Sequence, residues 1–360
     1  MVKSSLGVEG SAAARAELLE HLFVPGVPTL WCPSLTHYTS DGAIDGHRIA
    51  AHLRRLAQDV KGFLIPGSTS DGWELSEQEF WTLLEVALQQ ARSLKLHLLI
   101  GVLKADAREA LTLAEKVVEH IKQKSHQSDL VTAFMESRVC GIAICAPRGK
   151  EVSQEDMERG LTAVLETGVP VALYQLPQVT QNEIGSQLAA TLAERFPNFV
   201  LFKDSSGADR VVLSGKNLGG VFTMRGAEGN YVQWLRGAGG AYDGFLLSTA
   251  NCFADKLSQM ITHADADEMS EARPLSDKVT GVINEVFQLV QPVREGNVFT
   301  NANKAIDHFL AYGPRATELP GPRLHAGNRL PDAIIRQTGA VLEKYGLKPG
   351  EGYLGDERPR

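Results

Sequence analysis

Three short stretches of this sequence place reactive side chains where chemistry is plausible. The first is Asn198-Phe-Val-Leu-Phe-Lys203-Asp204-Ser-Ser-Gly207. A lysine directly after Val200-Leu201-Phe202 is drawn into apolar surroundings. Desolvation disfavours its ammonium form and frees a neutral amine to attack a carbonyl. The competing reading is a strand-end lysine that reaches solvent or pairs with Asp204. The second stretch is Pro170-Val-Ala-Leu-Tyr174-Gln-Leu-Pro177, one strand earlier. A phenol there stands beside the amine and can carry the protons that carbinolamine formation, dehydration and carbon–carbon cleavage require. A core aromatic with a satisfied hydroxyl is the competing reading. The third is Gly67-Ser68-Thr69-Ser70-Asp71-Gly72, whose hydroxyls and backbone N–H groups suit a carboxylate. It also reads as a polar turn capped by Asp71.

Other chemistries find less support. A metal centre needs His, Asp and Glu converging at strand ends. His97 falls within a strand, His37 in the first loop and His308 near the C-terminus, without an HxH or HxxxH pair. No GxSxG elbow is present, and Ser205-Ser206-Gly207 has no matching base.

The elements that must hold these residues alternate along the chain. Short apolar runs predict strands at Thr29–Pro33, Gly62–Pro66, Leu96–Val102, Gly141–Ala146, Val169–Leu176, Phe199–Lys203, Val221–Arg225 and Tyr242–Leu247. Continuous rather than alternating apolarity marks strands buried on both faces, as in a parallel sheet wrapped by helices. Between them, Ile49, Leu53, Leu56 and Val60 share one helical face, as do Leu111, Ala114, Val118 and Ile121 behind an N-cap at Asp106. Ile184, Leu188 and Leu192 form another stripe. Ser76 with Glu79, and Ser153 with Asp156, have capping-box spacing. Eight strands each followed by a helix or connector predict an α/β chain of the (β/α)8 TIM-barrel class. An open doubly wound sheet is the alternative, but Gly237-Ala-Gly-Gly-Ala-Tyr242 precedes a strand where a dinucleotide loop must follow one.

The expected organisation is an N-terminal helical lead over residues 1–26, a catalytic barrel over 27–262, C-terminal helices over 263–345 as an appendage, and a flexible tail over 346–360. The appended helices are placed at Ala266–Val290, Asn297–Tyr312 and Pro331–Tyr345. Lys122 to Arg138 reads as a long polar connector inserted at the surface. Internal repeats and low-complexity tracts are absent.

Composition bounds the function. The 360 residues are 43% hydrophobic and 22% charged, with net charge -7, the balance of an ordinary globular protein. Without a basic run there is little to neutralise phosphates, so a nucleic-acid partner is not expected. Cys32, Cys140, Cys145 and Cys252 are scattered and predict reduced thiols. The N-terminus lacks the apolar core of a signal peptide, and no apolar run reaches the roughly 20 residues of a membrane span. A cytoplasmic protein that engages no membrane is the expectation.

Taken together, GSTSDGWELS, YQLP and FKDSSG in that order resemble the dihydrodipicolinate synthase / N-acetylneuraminate lyase family of class I aldolases. The similarity spans about Val27 to Ile261, including the segments Leu35 to Asp45 and Asp243 to Asn251. The resemblance implies that Lys203 forms a Schiff base with a 2-oxo acid, that Tyr174 is the catalytic tyrosine, and that Ser68 and Thr69 hold the substrate carboxylate. It also puts Gly226 and Leu246 at the substrate. It implies no metal or other cofactor, and a homo-oligomer, a dimer or tetramer.

Two departures bear on the reaction. Dihydrodipicolinate synthases carry an arginine two residues past the YxxP proline, where this chain has Val179. They carry paired tyrosines after the fourth strand, where this chain has Ala146-Pro147-Arg148-Gly149-Lys150. Glu228, after the seventh strand, matches acidic residues that hold sugar hydroxyls in sialic-acid-type lyases, and Arg148 is placed to meet a polar tail. The expectation is an aldolase or dehydratase of a hydroxylated, sugar-derived 2-oxo acid. The synthase proper and a non-catalytic keto-acid-binding protein are the alternatives.

Overall fold

The computed structural model describes residues 8–359. Residues 1–7 of the expected N-terminal lead lie outside them. The lead's helix, α1, covers Val8–Leu22. Eight strands follow: β1 (Leu30–Cys32), β2 (Gly62–Leu64), β3 (His97–Val102), β4 (Val139–Cys145), β5 (Val171–Gln175), β6 (Phe199–Asp204), β7 (Phe222–Arg225) and β8 (Gly244–Leu246). They stand in chain order and close into a barrel, each pairing described being parallel. This is the (β/α)8 class that the apolar runs predict. All eight runs are found, most trimmed by a residue or two at their ends; β4 instead begins two residues earlier than expected and β6 runs one residue further, to Asp204.

The helices between strands are α2 (Gly46–Leu56), α3 (Glu77–Leu94), α4 (Ala107–Ser125), α5 (Leu130–Glu136), α6 (Gln154–Leu165), α7 (Pro177–Thr180), α8 (Ser186–Arg195) and α9 (Arg210–Leu213). After β8 come α10 (Ala250–Asp265), α11 (Met269–Val290), α12 (Val298–Tyr312) and α13 (Asp332–Lys344), the last three forming the C-terminal helical appendage. Local chemistry starts these helices where the sequence says. Ser76 and Glu79 form a reciprocal capping box, as do Ser153 and Asp156, and Asp106 accepts from the N–H groups of Arg108 and Glu109.

Some expectations need correction. The segment 122–138 is not a polar surface connector. Its first part extends α4, and α5 follows behind an N-cap at Asp129 with Ala133 and Phe134 fully buried. The buried stripe of α4 is Ala110, Leu113, Ala114, Val117 and Ile121 rather than the row through Leu111 and Val118. Helix α2 stops at Leu56, so Val60 is buried from a turn. Part of the expected flexible tail is anchored rather than loose: Leu354 is buried, and the Tyr353 hydroxyl bonds the Asp307 carboxylate at 3.1 Å.

Two compact units emerge. One contains the residues through Thr29 together with His97–Ala227 and Ala241–Leu246. Helix α1 is tied into it by Arg15, whose guanidinium donates to the carbonyls of Ala193, Phe196, Phe199 and Gly219. The other contains Leu30–Leu96, Glu228–Gly240 and Leu247–Arg360. There a side chain at Gly62, opening β2, would overlap the Trp31 ring of β1, so only glycine fits.

Candidate active site

Parallel register decides which side chains of the first unit meet. Cys145 of β4 pairs with Tyr174 of β5, Tyr174 with Lys203 of β6, and Lys203 with Met224 of β7. Partners in register share a sheet face. All four lie at or next to the C-terminal ends of their strands, the end that carries active sites in this fold.

Lys203 is 4% exposed and Tyr174 3%. The solvent-reaching reading of Lys203 is thereby excluded. Its Nζ stands 3.9 Å from the centroid of the Tyr174 ring, on the electron-rich face that attracts an amine or ammonium. Burial pushes the Tyr174 phenol up, Cys145 adds to the shift, and a hydrogen bond from Ser205 opposes it. The group therefore remains a protonated phenol at neutral pH.

Gly226 explains how Lys203 fits. A Cβ there would lie 2.8 Å from the lysine Cε and overlap the Ser205 hydroxyl. The glycine is held by its neighbours. Its N–H donates to the Asp204 carbonyl at 2.7 Å. Beside it, Arg225 grips Asp209 through Nε at 3.0 Å and the Ala227 carbonyl through Nη1 at 2.8 Å. Tyr242 completes this buried hub with a hydrogen bond to Asp209 at 2.7 Å. Asp204 points away from the Lys203 face and accepts from the Ser206 N–H at 2.8 Å. Burial pushes its carboxyl up, its bonds to Ser206 notwithstanding.

Lys203, Tyr174 and Gly226 are thus brought together, and Ser205 joins them. Sequence reasoning passed over Ser205, because its approach to Tyr174 depends on how β5 and β6 pair. Leu246 ends β8 and is buried. Arg148 is an exposed side chain in the β4–α6 loop, anchored through its backbone N–H to Ala105.

Ser68, Thr69 and Glu228 belong to the second unit. Ser68 and Thr69 open a 3-10 turn directly after β2 and are buried. Asn297 and Thr300, at the start of α12, donate to the carbonyls of Ser68 and Thr69, both at 3.2 Å. Asp71 does more than cap the turn: its carboxylate takes Lys304 Nζ and the Tyr38 hydroxyl, each at 3.0 Å. Glu228 requires a correction. Ser248 and the Thr249 N–H meet one carboxylate oxygen, while Tyr231 and the Thr249 hydroxyl meet the other. Four donors engage it at the start of α10, where an anion also suits the helix dipole. A substrate hydroxyl has no free lone pair of good geometry to find there.

His37, His52 and Asp307 form a buried trio of metal-ligand types within 4.8 Å of one another. Their chemistry favours a proton-bonded cluster. Arg48 Nη2 stands 2.7 Å from Asp307 Oδ2, a fixed positive charge on an oxygen that a dication would need. Asn251 uses its amide on the Pro33 and Ser248 carbonyls, so its oxygen accepts from His52 Nε2 at 3.0 Å.

Comparisons with known proteins bear on the family and the fold. Residues 128–297 match the model of the dihydrodipicolinate synthetase family. A 4-hydroxy-tetrahydrodipicolinate synthase of Erythrobacter litoralis is 25% identical over 269 residues, covering 72% of this chain and 83% of the relative. One from Azoarcus is 23% identical over 262 residues, covering 72% and 82%. Among solved structures, the E. coli prophage protein YagE in complex with pyruvate superposes with TM-score 0.69 at 20% identity, covering 88% of this chain and 98% of its own. A Sulfolobus 2-keto-3-deoxygluconate aldolase in complex with D-KDPG gives 0.68 at 19% identity, covering 89% and 97%. At such identities the structural likeness speaks for the fold.

Proposed function

We propose that this chain is a lyase of the dihydrodipicolinate synthetase family, whose model matches residues 128–297, and that it cleaves or dehydrates a hydroxylated 2-oxo acid through a Schiff base on Lys203. One observation carries the reading: a buried lysine amine 3.9 Å above the Tyr174 ring, in space that Gly226 leaves open. The protonated phenol beside it is a proton carrier.

The amine attacks the C2 ketone of the substrate, and the carbinolamine loses water to give a protonated imine. That imine accepts the electron pair that develops at C3, as an enamine. With a hydroxyl at C4, the C3–C4 bond breaks, its electrons enter the enamine, and the C4 hydroxyl gives up its proton as the aldehyde forms. Protonation of the enamine and hydrolysis of the imine release pyruvate or an analogue. In the dehydratase variant the C3 proton leaves first and the C4 hydroxyl departs as water. Tyr174 moves the protons in either course. Ser68 and Thr69 hold the carboxylate in this reading, a role that rests on the resemblance. Leu246 supplies apolar surface, Arg148 meets the substrate's polar end, and Glu228 is left out.

The 2-oxo acid class is supported by the pyruvate and D-KDPG complexes of YagE and the Sulfolobus aldolase. Val179, standing where the synthases have their arginine, speaks against the synthase reaction proper. The imine itself is the electron sink, so the mechanism calls for no metal. A homo-oligomer in the cytoplasm completes the proposal. Four buried thiols suit a reducing compartment, and no helix among the described residues is long and apolar enough to cross a membrane.

A panel of 4-hydroxy- and deoxy-2-oxo acids, scored for pyruvate release and for water loss in the presence of EDTA, tests the proposal. Turnover of at least one sugar-derived member is expected. Activity confined to pyruvate plus aspartate semialdehyde points to the synthase instead, and silence across the panel points to a binding protein.

A further inference from the structure

Two arginines of the second unit are paired across a bridge between neighbouring segments, and the exposed Asp41 acts electrostatically on one of them, Arg323. An isolated antiparallel bridge pairs Arg323 with Arg329. Flanking bonds from Leu324 N to Asn328 O at 2.8 Å and from Leu330 N to Pro322 O at 3.0 Å make it the non-hydrogen-bonded kind of pair. That kind brings side chains closest, and like charges directly opposite are destabilising. Each guanidinium is half-buried and donates to a carbonyl, Arg323 to Ser40 at 3.1 Å and Arg329 to Gly321 at 2.9 Å. Among the described ion pairs neither has a carboxylate partner.

Both line an open cleft of about 410 Å3, solvent included, together with Arg48, His37, His308 and Asp45. Arg48 is already engaged by Asp307, Tyr312 and Tyr353. Among the described residues Asp45 is the carboxylate on the lining, and it caps α2 by accepting from the Arg48 N–H at 3.0 Å. His37 is 6% exposed, yet its Nε2 has no hydrogen-bond partner. The cleft therefore combines two guanidinium forks with the buried imidazole of His37, whose Nε2 stands 3.7 Å from the Asp307 carboxylate. It shares no residue with the set proposed for catalysis.

We propose that this cleft binds a phosphate group, held between Arg323 and Arg329. A phosphate presents several acceptor oxygens to the two forks, and its charge of nearly two relieves their repulsion. A carboxylate offers one charge and two oxygens. The group can be free phosphate or the phosphate of a small monoester.

The test is calorimetric titration of the full chain with inorganic phosphate, glycerol 3-phosphate and succinate at fixed ionic strength, with Tm measured in parallel. One phosphate per chain should bind saturably. Arg323→Gln and Arg329→Gln should each weaken it about tenfold or more, while the Tm without phosphate stays level or rises as repulsion is relieved. If a glutamine variant fails to fold, Arg323→Lys, which keeps the charge and removes the fork, should still lose affinity. Tighter binding of glycerol 3-phosphate identifies an ester as the source, and tighter binding of inorganic phosphate identifies the free ion. The proposal is overturned by absence of saturable binding, by undiminished affinity in the variants, or by succinate binding as tightly as phosphate. Competition between phosphate and a keto acid for imine formation would also overturn it, since the phosphate would then be at the lysine.

Discussion

Lys203 and Tyr174 are adjacent in space because Cα partners across β5 and β6 share a face, not because of their sequence spacing. Each could be singled out beforehand, since a lysine or tyrosine closing an apolar strand is conspicuous. Their mutual distance and the need for Gly226 were not legible, because both depend on strand register and loop path. Two predictions belong at this scale. Tyr174→Phe should still form the imine but turn over roughly 10²–10⁴-fold more slowly, the range for a lost general acid/base. Near-normal steady-state rates would assign the proton to another group. Gly226→Ala places a methyl 2.8 Å from the lysine Cε. It should destabilise the fold by about 1–3 kcal/mol through overpacking and depress activity far more than that. A variant with full activity would mean that Lys203 reaches its working position by another path.

Helix starts were the most readable elements, because capping is local chemistry that four residues can specify. Ser76 with Glu79 and Ser153 with Asp156 fold as their spacing demands. Segment 122–138 misled for the opposite reason. Its polar composition hides a short helix whose burial of Phe134 is decided by tertiary packing. Glu228 is a similar case. An acidic residue after β7 reads as a ligand for hydroxyls, but its hydroxyl partners are Ser248, Thr249 and Tyr231 of the protein itself. Glu228→Ala should therefore lower stability by about 1–3 kcal/mol, the cost of leaving buried donors unsatisfied. Imine formation should persist at temperatures where the variant is folded. A raised KM with an unchanged Tm would return Glu228 to the substrate.

For the whole molecule, eight apolar runs sufficed to predict the barrel, since strands buried on both faces leave few alternatives. What binds distant segments together was not visible. Arg15 reaches four carbonyls from α1, and burial lowers its guanidinium to about 10. Tyr353, from the end of the chain, joins Asp307 in the buried cluster. Buried histidines give the molecule a calculable acid limit. Burial lowers His97 and His308 to about 4, against about 6.5 in an unfolded chain. The unfolded state then takes up protons first, so their contribution is whole above about pH 6.5 and is lost between there and about pH 4. Asp307 extends the loss: burial alone would raise its carboxyl, but His52 and Arg48 hold it well below the usual range. Its share disappears as pH falls below about 4. Tm measured from pH 7 downward should decline across both windows, and a flat profile to pH 4 would refute the histidine contribution. The reaction itself is tested most directly on the intact chain. Borohydride added with pyruvate, followed by mass spectrometry of the peptides, should find a reduced adduct on Lys203 that is missing from a folded Lys203→Ala variant. An unmodified Lys203 at saturating pyruvate, or an adduct on another lysine, would contradict the account.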